Sequence, residues 1–140
     1  MLNINKMPVV LCDIDGTLAI RGDRGPHDLS LVIEDAPRKY MPEVLEALES
    51  MLYLIYISGR QEQARAQTVY WLKTHGFPDG AALLMRKDGD NRKDAIVKAE
   101  ILERIQQAYQ VICVLDDRDS CIKMWREKGL LCLQVDYGDF

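Results

Sequence analysis

The chain has 140 residues, 48% of them apolar and 29% charged, an ordinary balance for one globular domain with a buried core. Its net charge of −4 excludes a global basic field, so any polyanionic ligand must be gripped locally. No apolar run approaches the roughly 20 residues needed to span a bilayer, and Met1 to Met7 lacks the basic start and apolar stretch of a secretory signal. A cytoplasmic protein without a membrane partner is expected.

Short apolar runs alternate with segments of helical period, the pattern of βαβ units around a mostly parallel sheet. The first strand is predicted over Pro8 to Cys12, running into Asp13, and a polar, Gly-rich stretch from Gly16 to Asp28 follows. Met41, Val44, Leu45, Leu48 and Met51 recur at helical spacing. Leu52 to Ile57 is a second strand ended by Ser58-Gly59, and Gln61 to His75 reads as a helix stopped by Gly76 and Pro78. Ala81 to Met85 is a third strand, followed by the charged loop Arg86 to Asp90 and a helix on which Val97, Ile101 and Ile105 share a face. Val111 to Leu115 is a fourth strand opening onto Asp116-Asp117. A short helix around Cys121 to Glu127 and a fifth strand over Leu130 to Val135 complete the chain. No repeat or linker interrupts it, and one domain over residues 1–140 accounts for everything.

The chemistry-bearing residues fall at strand ends. Asp13 and Asp15 close the first strand, Ser58 the second, and Asp116 and Asp117 the fourth. In an open parallel sheet, ligands bind beyond the carboxyl ends of the strands, so these residues are expected to share one crevice. Asp13 and Asp15 point to the same side of an extended chain, and such close carboxylates need a cation or a shared proton. A turn around Gly16 is the bland reading of that pair, and a helix cap is that of Asp116-Asp117. Four converging carboxylates have a simpler explanation in a hard-oxygen site for Mg²⁺. Ser58-Gly59-Arg60, at the start of a helix, suits a phosphate oxygen, or else is a cap with a surface arginine. Asp94 and Lys98, four apart on a helix, would in isolation be a surface ion pair.

The segments carrying Asp13-Ile14-Asp15-Gly16-Thr17, Ser58, Lys98 and Asp116-Asp117, in that order, resemble the four motifs of the haloacid dehalogenase superfamily of phosphatases. Further stretches are similar to the 3′-phosphatase domain of bacteriophage polynucleotide kinase–phosphatase: Arg24-Gly25-Pro26-His27-Asp28, Gly89 through Asp94, Met124-Trp125-Arg126 and Gly138-Asp139-Phe140. The resemblance implies a five-stranded Rossmann-like haloacid dehalogenase fold without a substantial cap. It also implies a Mg²⁺-dependent polynucleotide 3′-phosphatase acting on DNA or RNA ends, with 2′,3′-cyclic phosphates as a further substrate of some members. Asp13 becomes the nucleophile and Asp15 the acid/base. Ser58 and Lys98 become phosphate ligands, with Lys93 competing for the lysine role. Asp13, Asp15 (through its carbonyl), Asp116 and Asp117 become the metal set. Thr17, Arg24, Gly59, Arg60 and Asp94 fall on substrate-binding positions.

The sequence departs from the phage enzyme in one respect: it contains no GxxxxGK[ST] for ATP, so no 5′-kinase activity is expected of it. About 20 residues between Thr17 and the first helix are too few for a lid, and an open site suits a polymer end. Two other readings stand beside this one. A small-molecule phosphatase or nucleotidase could use the same scaffold. A receiver-like signalling module also gathers carboxylates around Mg²⁺, but its phospho-accepting Asp closes a later strand, where this chain has Ser58. The cysteines Cys12, Cys113, Cys121 and Cys132 lack metal-site spacing and read as small buried hydrophobes. Tyr70, Trp71, Trp125 and Tyr137 read as packing residues rather than base-stacking ones.

Overall fold

A computed structural model describes residues 2–25 and 27–140; Met1, and Pro26 of the Arg24–Asp28 stretch, lie outside the described residues. The strands β1 (Met7–Asp13), β4 (Tyr53–Gln61), β5 (Ala82–Arg86), β6 (Tyr109–Asp116) and β7 (Cys132–Gln134) form one sheet in the order β5-β4-β1-β6-β7. Every pairing in it is parallel. Both faces are covered, so the central strands are apolar on both sides. Val10 and Cys12 of β1 pack with Leu45 of helix α1 (Met41–Glu49) and with Trp71 and Leu72 of α2 (Arg65–Thr74). Val9 and Leu11 face the other way, onto Ile101 of α3 (Asp94–Gln106) and Ile122 and Trp125 of α4 (Asp119–Glu127). All four cysteines are buried and unpaired, divided between these two cores. No helix among the described residues is long and apolar enough to cross a membrane.

Three departures from the expected elements bear on the site. The second expected strand does not stop at Ile57: β4 continues through Ser58, Gly59 and Arg60 to Gln61, with an irregular register against β5 between Ser58 and Gln61. The following helix accordingly begins later, after a 3₁₀ turn over Glu62–Ala64. The polar stretch after β1 is ordered into an antiparallel pair, β2 (Ala19–Ile20) with β3 (Ala36–Pro37), and a 3₁₀ helix over Leu29–Glu34 whose Val32 is buried. This insertion is no lid, but it carries Asp35 and Arg24 to the edge of the crevice.

Because β1 lies between β4 and β6, the chain leaves it toward one side and later crosses to the other. The carboxyl end of β1 is therefore the switch point at which an open α/β sheet leaves a crevice, and Asp13 is its last residue.

Candidate active site

β1 and β6 are neighbours ending at the same edge, so Asp13 and Asp116 meet there with Asp117. Oxygen atoms of the three buried carboxylates lie within 4.8 Å of one another. Lys98, whose side chain is 1% exposed, projects from α3 into the same space. Its Nζ lies 2.9 Å from Asp13 Oδ1, 2.9 Å from Asp116 Oδ2 and 3.2 Å from Asp94 Oδ2. Asp116 is held on both sides: Trp125 Nε1 donates to Oδ2 at 2.9 Å, and the Asp117 amide donates to Oδ1 at 2.8 Å. The buried Thr17 hydroxyl lies 3.3 Å from both Asp13 Oδ2 and Asp117 Oδ1. Neither acid of the Asp116-Asp117 pair caps α4; that position belongs to Arg118. Asp94 and Lys98 are a buried pair, unlike the exposed one their spacing alone suggests, and the rival Lys93 is exposed at the start of α3.

Four carboxylates around one ammonium leave an excess of buried negative charge. Burial pushes the Asp13 carboxyl well above its ordinary range; Lys98 opposes this, and Asp116 and Asp94 reinforce it. Burial and the adjacent Asp116 raise Asp117 to about 6. Burial disfavours charge on Lys98, yet Asp13, Asp116 and Asp94 together hold it well above the usual lysine value. Asp94 is also penalised by burial, but Lys98 and Arg118 pull it below the usual carboxylate range. A divalent cation with oxygen preference fits the donor set of Asp13, Asp116 and Asp117 and relieves its repulsion. Gly16 explains how the loop closes on this set. It adopts φ +83°, and a Cβ there would lie 2.0 Å from Asp117 Oδ2.

A second layer of charge surrounds Asp15, whose side chain is 43% exposed and therefore open to the crevice. Arg60 grips it with a two-pronged fork, Nε to Oδ2 at 2.9 Å and Nη2 to Oδ1 at 2.7 Å. The remaining Arg60 nitrogen donates to Thr68 Oγ1 at 3.0 Å. Arg24 forks the buried Asp35 at 2.8 and 2.7 Å and reaches Asp15 at 3.4 Å. Asp35 in turn lies 3.3 Å from Arg60 Nη2, and its carbonyl accepts from Trp71 Nε1 at 2.8 Å. Arg24 and Arg60, expected from the resemblance to grip substrate, are thus engaged with carboxylates here. Sequence reasoning missed Asp35: it lies in Ile33-Glu34-Asp35-Ala36, where nothing in residue type or spacing marks it.

Ser58 is buried, and its Oγ accepts the Arg60 amide at 3.0 Å, a bond made within an extended strand rather than at a helix cap. Gly59 is needed for close approach, since a Cβ on it would lie 2.3 Å from Asp94 Oδ1. Arg86, another residue not anticipated, clamps this corner by donating to the Gly59 carbonyl at 2.8 Å and to Asp94 Oδ1 at 3.2 Å.

Comparison with known proteins decides the family. The family model described as the polynucleotide kinase PNKP phosphatase domain matches residues 7–140. The chain belongs to that family. It is 30% identical over 133 residues to a putative bifunctional polynucleotide kinase/RNA ligase of Autographa californica nuclear polyhedrosis virus, covering 88% of this chain and 18% of that protein. It is 38% identical, with a TM-score of 0.92, to a chain of the Pnkp1/Rnl/Hen1 RNA repair complex, covering 99% of this chain and 45% of that one. The chain thus spans less than half the length of these two relatives. A class C acid phosphatase from Bacillus anthracis shares the fold, with a TM-score of 0.72 at 16% identity over 96% of this chain and 67% of that one. Membership of a phosphatase-domain family makes this a phosphoric monoester hydrolase of the haloacid dehalogenase fold.

Proposed function

We propose that this domain removes the terminal phosphate from 3′-phosphorylated DNA or RNA ends, using Mg²⁺ and an aspartyl phosphate on Asp13. The observation that carries the reading is the placement of Asp13: a buried carboxylate at a strand end, 2.9 Å from Lys98 and beside Asp116 and Asp117. The relatives named for polynucleotide end processing support the choice of substrate.

Asp13, Asp116 and Asp117, with the Asp15 carbonyl, would hold the metal, which supplies charge neutralisation so that an anionic nucleophile can approach an anionic phosphate. An oxygen of Asp13 attacks phosphorus, and the bond from phosphorus to the 3′ oxygen breaks. Asp15 gives its proton to the departing oxygen, then takes one from the water that hydrolyses the acyl phosphate. The Arg60 fork aims the Asp15 carboxyl while leaving it exposed to the crevice. Lys98 and the Ser58 hydroxyl bind non-bridging oxygens, and Lys98 favours the charged form of Asp13 that attacks. Thr17, Gly59 and Asp94 shape the phosphate cradle, and Arg24 fixes it through Asp35.

The test compares phosphate release from a 3′-phosphorylated oligonucleotide, its 5′-phosphorylated counterpart and a 3′-mononucleotide, with and without EDTA. Release from the 3′-phosphorylated oligomer alone, abolished by EDTA, is expected. Equal release from all three would leave a phosphatase without polynucleotide specificity.

A further inference from the structure

The two arginines that hold Asp15 cannot hold the strand behind the phosphate. Arg24 and Arg60 are almost wholly buried and spend their donors on Asp15, Asp35 and Thr68. A polynucleotide end needs a further cation and a surface for its base, in a protein whose net charge repels it.

The segment after β7 brings such a surface to a cation beside the catalytic acids. It is pinned to the two loops that carry them. The Val135 amide donates to the Asp116 carbonyl at 3.0 Å, and the Asp119 amide donates to the Gly138 carbonyl at 2.6 Å. Gly138 presses so closely on Asp117 that a Cβ would lie 2.1 Å from its carbonyl oxygen. Asp136 pairs at 2.9 Å with Arg38, whose guanidinium donates to the Thr17 and Gly16 carbonyls at 3.0 and 2.7 Å.

The Arg118 guanidinium, at the start of α4, stands over the ring of Phe140 on this anchored segment, 4.7 Å from its centroid. Phe140 is 68% exposed, so the core does not account for its position. The Arg118 side chain is 36% exposed and meets its only acidic partner among the described residues, Asp94, at a long 3.9 Å. Arg118 immediately follows Asp117. The pair therefore offers, at the mouth of the crevice, an aromatic face and a cation with donors to spare.

We propose that Phe140 and Arg118 form an outer nucleotide platform for a single-stranded 3′ end. The ring stacks a base next to the scissile phosphate, and the guanidinium binds the adjoining phosphodiester. This rests on the polynucleotide reading above and adds the residues that confer it.

The test is the ratio of kcat/KM for a 3′-phosphorylated oligonucleotide to that for p-nitrophenyl phosphate, which is too small to span the platform. Phe140→Ala is expected to lower this ratio on the order of tenfold, the scale of one base stacked on one ring, and Phe140→Trp to restore it. Arg118→Gln is expected to reduce the salt dependence of the oligonucleotide KM by about one phosphate contact. An unchanged ratio in Phe140→Ala, including a parallel fall for both substrates, would overturn the platform and leave the segment a support for Asp117. A wild-type enzyme that does not prefer the oligonucleotide would instead overturn the polynucleotide reading, and the platform with it.

Discussion

Replacing Lys98 by Met keeps an unbranched chain only one atom shorter and removes its charge from a buried site. Three carboxylate oxygens lie 2.9, 2.9 and 3.2 Å from Nζ. At an effective dielectric of about 20, each contact carries on the order of 5 kcal/mol of direct attraction, much of it offset by the cost of burying the charges. Breaking a buried ion pair at one partner costs roughly 3–5 kcal/mol, and that is the destabilisation expected near pH 7.5 without metal. The loss shrinks at pH 5, because Asp13 already tends toward its neutral form and without Lys98 protonates more readily still. Urea unfolding followed by tryptophan fluorescence reads this out, since Trp71 and Trp125 are buried and Trp125 bonds Asp116. Activity should fall by about 10²-fold or more, the scale of removing one preorganised donor from a developing charge. A Lys98→Met protein within about 1 kcal/mol of wild type at pH 7.5 would refute the buried-charge reasoning, because that loss falls below the range for a broken buried pair.

Further expectations concern the surrounding residues. Arg60→Lys keeps the charge but loses the fork on Asp15 and the buried Thr68 bond, so kcat should drop by about 10²-fold, the general acid/base contribution, along with a lower melting temperature; a lower melting temperature with kcat unchanged below it would leave Arg60 a structural residue only. Gly16→Ala forces a side chain into φ +83° and against Asp117 Oδ2, and should weaken Mg²⁺ binding at least tenfold by calorimetry; unchanged affinity would count against Asp117 as a ligand. Asp117 titrates near 6 in the folded protein, against an ordinary 3.8. Its stability penalty is therefore absent below about pH 4 and complete above pH 6, so metal-free stability falls as pH rises through that window. Mg²⁺ bound at the proposed site would relieve this penalty, so its effect on melting temperature should be larger at pH 7.5 than at pH 5.

Much of this was legible because it is encoded locally. The apolar runs around β1, β4 and β6 and the helical spacing of Val97, Ile101 and Ile105 define a parallel α/β sheet, and acids after two of those runs mark the crevice. What escaped depends on tertiary placement. Ser58 and Gly59 read as the end of a strand, yet β4 runs on to Gln61 because pairing with β5 carries its backbone further. Asp35 gains its role only when α2 and the 3₁₀ segment bring Trp71, Arg24 and Arg60 around it. Asp94 and Lys98, which in isolation read as an exposed pair and which the resemblance placed in the site, are buried because α3 packs its charged face against the ends of β1 and β6. All four of Tyr70, Trp71, Trp125 and Tyr137 read as packing residues; Trp71 and Trp125 are core residues, whereas Tyr70 and Tyr137 stand exposed, which corrects that reading.

The proposed reaction rests on Asp13 carrying the phosphoryl group between two half-reactions. A 3′-phosphate-labelled oligonucleotide, mixed with excess enzyme and Mg²⁺ and quenched in acid within the first turnover, tests it directly. Transient label is expected on the protein, released by hydroxylamine, mapping to the peptide containing Asp13 and absent from Asp13→Asn. Phosphate release at wild-type rate by Asp13→Asn, or label on another residue, would contradict it.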